Sequence, residues 1–243
     1  MAKVGSITLG GVQFQKVGGG AQTINDLIME DNTKPLVGAG IYGDADQLDV
    51  WDNASGQYNR FYFGDWFGDY GVEFDKLWYV AGDDEAPADN VLPLGAGFRL
   101  TRQSKAAAAI IMVGEVVSTN IVLTLKAGTL NQISNPYPIS LKLADISNGG
   151  NFDWINSGFV GAGIYGDADQ LMIWNPTTQI YDRYYFGDWA GEYGAEFDKQ
   201  WYVAGDDTAP VTGIEIPAGA SFIINLNASV NNVNLTLIAP NLD

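Results

Sequence analysis

The side chains able to do chemistry in this chain are carboxylates and aromatic rings, and most of them occur twice, 123 residues apart. Asp44-Ala45-Asp46 returns as Asp167-Ala168-Asp169, and Asp83-Asp84 returns as Asp206-Asp207. Spaced aspartates open a calcium loop, because Ca²⁺ gathers hard oxygen ligands. The EF-hand pattern also demands an oxygen ligand at its fifth position, where this chain carries Leu48 and Leu171. Two readings stay open. One is a different Ca²⁺ cage joining each Asp-Ala-Asp to its Asp-Asp pair. The other is plain Asx turns capping strand ends. No other cofactor is expected.

The aromatic set Tyr62, Trp66, Tyr70, Trp78 and Tyr79 returns as Tyr185, Trp189, Tyr193, Trp201 and Tyr202. Rings beside Asp and Glu suit a sugar: an aromatic face stacks on apolar sugar faces while carboxylates accept hydroxyl hydrogens. Alternating aromatics also simply fill cores, which suits Trp78/Trp201 and Phe63/Phe186. Trp66/Trp189 and Tyr70/Tyr193 lie in Gly-rich stretches, which makes them the candidates for ligand or interface contact. An exposed Trp–Tyr pair equally suits a protein–protein hot spot. Arg60/Arg183 and Lys76/Lys199 are the retained cations, expected to be ion-paired on the sheet. Glu73 and Asp75 (Glu196 and Asp198) on one strand would stand about 6–7 Å apart. That spacing raises glycoside hydrolysis, which also needs a cleft and separated pKa values.

The rest of the composition narrows the chemistry. Histidine and cysteine are absent, which removes Ser-His-Asp catalysis, histidine-ligated zinc, thiolate chemistry and disulfides. The net charge of −17 argues against a nucleic-acid partner, which needs a basic footprint. No segment approaches the length of a membrane span. The start, MAKVGSITLGGVQF, carries no apolar run of signal-peptide length. Enzymatic activity is not expected.

These residues sit in a repeat. Val37–Pro87 and Val160–Pro210 align without a gap, with 36 of 51 positions identical. The flanks correspond more loosely: Ile7-Thr8-Leu9 matches Leu123-Thr124-Leu125, and Pro93–Phe98 matches Pro217–Phe222. Two tandem β modules are expected, over residues 1–117 and 118–243. Leu48–Asp52 and Gln57–Phe63 read as a hairpin, with Tyr58, Arg60 and Tyr62 on one face and Phe61 and Phe63 on the other. Phe74–Ala81, Val91–Leu92, Gly97–Thr101 and Ala109–Val113 read as further strands. Thr23–Met29 reads as one short helix with Thr23 as N-cap, and its counterpart is Leu141–Ile146. Short strands between Gly/Pro/Asn/Asp turns define an all-β, sandwich- or barrel-like class.

Asn131–Pro138 reads NQISNPYP. It is followed by an ADQ-led strand to Trp174, by Tyr181–Phe186, by Trp201–Val203 and by Ile216–Phe222. This run resembles NPYP-containing β-sandwich-like repeat modules of secreted and cell-surface proteins of Gram-negative bacteria. The first half departs from it, with Lys16–Ala21 in place of NPYP. The resemblance implies an extracellular or cell-surface, non-enzymatic role. The favoured expectation is a homo-oligomeric subunit assembling into a filament or layer. Its retained faces would pack on each other or on neighbouring chains, and the terminal strands Ser6–Leu9 and Val233–Ile238 would add across subunits. The alternative is a glycan-binding protein with two equivalent sites on the Gly-rich loops.

Overall fold

The structure, a computed structural model, describes residues 7–240 apart from 21, 105, 107, 108, 176 and 179. The chain is all-β. Its centre in each half is a five-stranded antiparallel sheet. The first runs in spatial order Ile7–Gly11, Gly97–Thr101, Gln47–Asp52, Gln57–Gly64, Leu77–Val80. The second runs Leu130–Ser134, Ser221–Asn225, Gln170–Asn175, Ile180–Gly187, Gln200–Val203. The repeated hairpin keeps one register in both: Gln47 faces Tyr62, and Gln170 faces Tyr185.

The two-residue period of the sequence sorts the side chains. Leu48, Val50, Phe61, Phe63, Trp78, Phe98 and Leu100 line one face and form a core with Ile24, Ile28 and Leu92. These last three come from short elements laid over the sheet: the Ile24–Leu27 turn of helix and the Gln22–Thr23/Val91–Leu92 and Ile28–Glu30/Ile110–Met112 ladders. Thr23 caps the helix as its sequence suggests, accepting the Asp26 N–H at 3.3 Å. The helix stops after one turn, and Ile28 passes into a strand. Phe186, Trp201, Phe222 and Ile224 form the matching core of the second half with Trp154, Leu141, Ile216 and Leu235.

Four expectations change. Leu141–Ile146 is no helix: Leu141–Lys142 is a strand paired with Glu215–Ile216, and a single 3-10 turn starts only at Ile146. Val233–Leu237 is no free terminal strand: it pairs with Ile121–Leu125, and Asp153 N–H donates to Thr236 O at 3.0 Å from its other side. Residue 6 lies outside the described residues. The strand matching Ile7–Gly11 is Leu130–Ser134, not Leu123–Leu125, because each flanks the Gly97 or Ser221 strand in its own sheet. The strand from Phe74 begins only at Leu77, because Lys76 holds a positive φ of 59°.

The sheets meet mainly through drifted positions of the flanking strands, with the retained Tyr58 reaching across. A Cβ built on Gly11 would lie 1.8 Å from Ser134 Cβ, and one on Gly97 would lie 2.6 Å from Gln132 Cγ. Only glycine lets the backbones come so close. Ser134 N–H donates to Gly95 O at 2.8 Å, Gln132 Nε2 to Phe98 O at 3.2 Å, and Tyr58 OH to Gln132 Oε1 at 2.5 Å.

Candidate functional site

Besides core positions such as Phe63, Trp78, Phe186 and Trp201, the retained residues build the outer face of each sheet. Tyr62 and Tyr79 project from neighbouring strands away from the main core. They make a second, small cluster with Ala45, covered by Ala39, Tyr42 and Trp66. Tyr185, Tyr202, Ala168 and Trp189 repeat it. Two loops fold over this cluster, and glycines let them lie close. A Cβ on Gly40 would meet Trp66 Nε1 at 2.8 Å, and one on Gly163 would meet Trp189 Nε1 at 2.9 Å.

The Gly64–Lys76 loop is held by one carboxylate. Asp75 accepts the Trp66 N–H at 2.8 Å and the Gly68 N–H at 2.7 Å. Asp198 accepts those of Trp189 at 2.8 Å and Gly191 at 2.6 Å. Asp75 therefore serves the loop backbone. Among the described residues, the only non-glycine positive φ values are Phe67, Lys76, Ala190 and Lys199, all in these two loops at matching places. Such backbone costs about 1–3 kcal/mol per residue and persists where the surroundings enforce it.

The loop leaves a concavity against the sheet. Trp66, Tyr70, Phe74, Tyr79, Asp84 and Glu85 line a cavity of about 430 Å³. Trp189, Tyr193, Phe197, Tyr202, Asp207 and Thr208 line one of about 470 Å³. Trp66 stands edge-on to Tyr79 at 4.7 Å and to Tyr70 at 6.2 Å. Trp189 repeats this against Tyr202 at 4.8 Å and Tyr193 at 6.2 Å. Tyr79 OH donates to Phe74 O and Tyr202 OH to Phe197 O, each at 2.7 Å. Burial, with the neighbouring Tyr62 and Asp75, pushes the Tyr79 phenol up to about 12. Burial, with Tyr185 and Asp198, does the same to Tyr202, up to about 12. Both remain neutral phenols at physiological pH. One wall of each cavity is aromatic, and the opposite rim carries exposed Asp84 and Glu85 or Asp207 and Thr208.

Trp66, Tyr70, Trp189 and Tyr193, named from the sequence, thus line the sites. Trp66 and Trp189 are half-buried, while Tyr70 and Tyr193 are exposed. Trp78 and Trp201 lie in the cores. Phe74, Phe197 and the Glu85/Thr208 rim went unnamed. Arg60 and Arg183 point to solvent and line neither cavity. Among the described residues they form no ion pair, whereas Lys76 reaches Glu30 at 3.3 Å.

The calcium cages do not assemble. Among the described residues, no group of three or more carboxylates comes together to hold a metal. Asp44, Asp83, Asp84, Asp167, Asp206 and Asp207 are exposed, while Asp46 and Asp169 are turned inward and fully buried. Asp46 accepts the Val37 and Gln103 N–H groups at 2.8 and 2.7 Å and sits 2.7 Å from Arg102 Nε. That contact is an ion pair by distance, with Nε not oriented as a hydrogen-bond donor. Asp169 accepts the Val160 N–H at 2.8 Å, the Ala228 and Ser229 N–H groups at 3.0 Å, and the Ser229 hydroxyl at 2.5 Å. Both aspartates pin the loop that covers the tyrosine cluster. Asp206 makes an Asx turn, accepting from Thr208 N–H at 3.1 Å and Thr208 Oγ1 at 2.6 Å.

Fold and site together define an all-β chain that carries one aromatic, carboxylate-rimmed concavity twice. No family model, curated protein or solved structure matches it. No helix of the described residues is long and apolar enough to cross a membrane.

Proposed function

We propose that this is a non-catalytic carbohydrate-binding protein with two equivalent sites, one at Trp66/Tyr70/Phe74/Tyr79 and one at Trp189/Tyr193/Phe197/Tyr202. The observation that carries the reading is the duplicated cavity, built on loops that hold costly backbone at the same places in both copies. Indole and phenol rings offer flat apolar faces to sugar C–H groups, and the rim carboxylates accept from hydroxyls. The carboxylates favour a neutral or cationic glycan over an acidic one. The resemblance to surface modules supports an activity outside the cell.

A glycan-array screen followed by calorimetric titration with the retained oligosaccharide tests this. Two sites per chain are expected. Trp66→Ala and Trp189→Ala should each remove one, weakening it by about 30-fold or more if the indole contributes ~2 kcal/mol. The double variant should bind nothing. A double variant that binds like the parent, or an array on which no glycan is retained, overturns the reading.

A self-assembling subunit is the second reading. It is supported by exposed rings at the loop tips: Phe67 is 82% exposed, Tyr70 73% and Tyr193 63%. Such rings anchor protein interfaces. Light scattering that grows with protein concentration, and is abolished by Tyr70→Ala with Tyr193→Ala, would favour this reading over glycan capture.

A further inference from the structure

The outer edge strand of each five-stranded sheet carries a tryptophan, and the two are treated differently. In the first half, Asn25 of the helical turn clamps the edge. Its Oδ1 accepts the Trp78 N–H at 2.7 Å. Its Nδ2 donates to Trp78 O at 3.1 Å and to Ala88 O at 2.9 Å. The Trp78 indole donates to Ile28 O at 2.9 Å. The Trp78 backbone N–H, its carbonyl and its indole N–H thus each have a partner from the same chain.

In the second half the same register leads to a different residue. Leu141–Lys142 pairs with Glu215–Ile216 as Gln22–Thr23 pairs with Val91–Leu92. Leu143 N–H donates to Ile214 O at 2.9 Å, as Ile24 N–H donates to Asn90 O at 2.9 Å. Ala144 therefore stands where Asn25 stands, and a methyl replaces the carboxamide. Val211 N–H still donates to Trp201 O at 2.8 Å, matching Ala88 N–H to Trp78 O at 2.8 Å. Among the described residues, however, no side chain takes the Trp201 backbone N–H. The Trp201 indole N–H has no acceptor although the residue is only 4% exposed. At this place lies a cavity of about 340 Å³, lined by Lys142, Ala144, Trp154, Trp201 and Val211 among others.

A buried donor without an acceptor costs about 1–3 kcal/mol, and the missing group here has a known shape. We propose that this cavity is a third binding site, confined to the second half, that takes an amide group from a small ligand. The ligand's carbonyl occupies the place of Asn25 Oδ1 and accepts the Trp201 N–H. Its amide N–H donates to the Trp201 or Val211 carbonyl. A further acceptor oxygen on the ligand meets the indole N–H once the ring turns toward the cavity, since that nitrogen is closed to solvent in the free chain. Two sources share this chemistry: an N-acetamido sugar and an asparagine-type carboxamide. The site stands apart from the twin aromatic cavities and does not depend on them.

The test follows the tryptophan indole signals of the ¹⁵N-labelled full chain during separate titrations with acetamide and with N-acetylglucosamine. A saturable shift of the Trp201 indole and backbone N–H is expected. Saturation by both probes, or by acetamide alone, assigns a bare carboxamide. Saturation by the sugar alone assigns the acetamido sugar. Ala144→Asn supplies the carboxamide from within and should weaken binding of the active probe at least about tenfold. Trp201→Phe keeps a ring but removes the indole N–H. It provides a second variant, read at the Val211 N–H, and should weaken binding to a similar degree. Two results overturn the proposal: neither probe gives a saturable shift at Trp201, or Ala144→Asn binds as the parent does. Shifts confined to the Trp66 and Trp189 indoles would belong to the twin cavities and would also overturn it.

Discussion

Asp49 and Arg99 face each other across neighbouring strands of the first sheet, where Met172 and Ile223 face each other in the second. The charged pair is close, 2.5 Å from Nη2 to Oδ2, and the apolar pair fills the same slots. A similar exchange lies deeper. Asp46 is buried beside Arg102. Asp169 is equally buried, but Leu226 takes the arginine's position and the Ser229 hydroxyl completes the carboxylate's shell. In the first exchange both partners changed together; in the second the aspartate stayed and a hydroxyl replaced the arginine as its partner, and the fold kept its shape. The pocket residues show the opposite behaviour: Trp, Tyr, Phe and Tyr are the same in both halves. The contrast separates what the sheet requires from what the outer face requires. Removing one member of a buried pair leaves an uncompensated group, whereas replacing both is close to neutral. If the cavity takes an outside molecule, as proposed, it has no partner within the chain that could change with it.

The comparison breaks most visibly at the buried aspartates. Asp46→Asn should cost about 3–5 kcal/mol, because Arg102 is left buried without its counter-charge. Asp169→Asn should cost about 1–3 kcal/mol, because only hydrogen bonds weaken. Urea unfolding of the two variants checks this, and equal losses would mean that Arg102 is not what distinguishes the halves.

The cross-strand pair offers a milder test. Arg99→Ile alone leaves the Asp49 carboxylate buried and should cost about 2 kcal/mol, less than a fully enclosed pair because Arg99 is partly exposed. Asp49→Met with Arg99→Ile copies the second sheet and should return to within about 1 kcal/mol of the parent. A double-mutant cycle measures the coupling directly, and additive losses would contradict the exchange of slots in pairs.

The smallest difference between halves is expected on alkaline titration. Tyr79 and Tyr202 are both pushed up to about 12 by burial. Their neutral forms contribute stability that is fully present below about pH 10, where unfolded tyrosine ionises. It is lost as pH rises through about 12, since the unfolded chain then releases protons first. Phenolate absorbance should show the Tyr79→Phe and Tyr202→Phe variants each losing one late-titrating group of the same midpoint.

Much of the sheet was legible because the two-residue period is strong where one face is buried. Phe61 and Phe63 point inward and Tyr62 outward, as their alternation suggests, and the Gly-rich context singled out Trp66 and Tyr70. Phe74, Glu85 and Thr208 were not legible, since a rim is assembled by loops returning from different strands. The role of Asp75 was hidden for a related reason: a carboxylate that accepts backbone N–H groups looks, in one dimension, like one poised for acid–base work. The strand Leu130–Ser134 matches Ile7–Gly11 at none of its five aligned positions. The two lie on opposite sides of an asymmetric contact, one needing glycine and the other supplying Ser134 and Gln132. A three-letter likeness elsewhere was therefore misleading. Asn25 escaped notice because its importance lies in what the second half lacks.

The glycines at 11 and 97 have one more consequence. Backbone rests on side chain there with no room for a methyl group, so the halves cannot slide past one another without lifting apart. The aromatic hollows are carried on a fixed gauge. A polymeric ligand with a regular repeat would be gripped at both places only when its own spacing matches that span, so the molecule would select for the period of a chain as well as for its units.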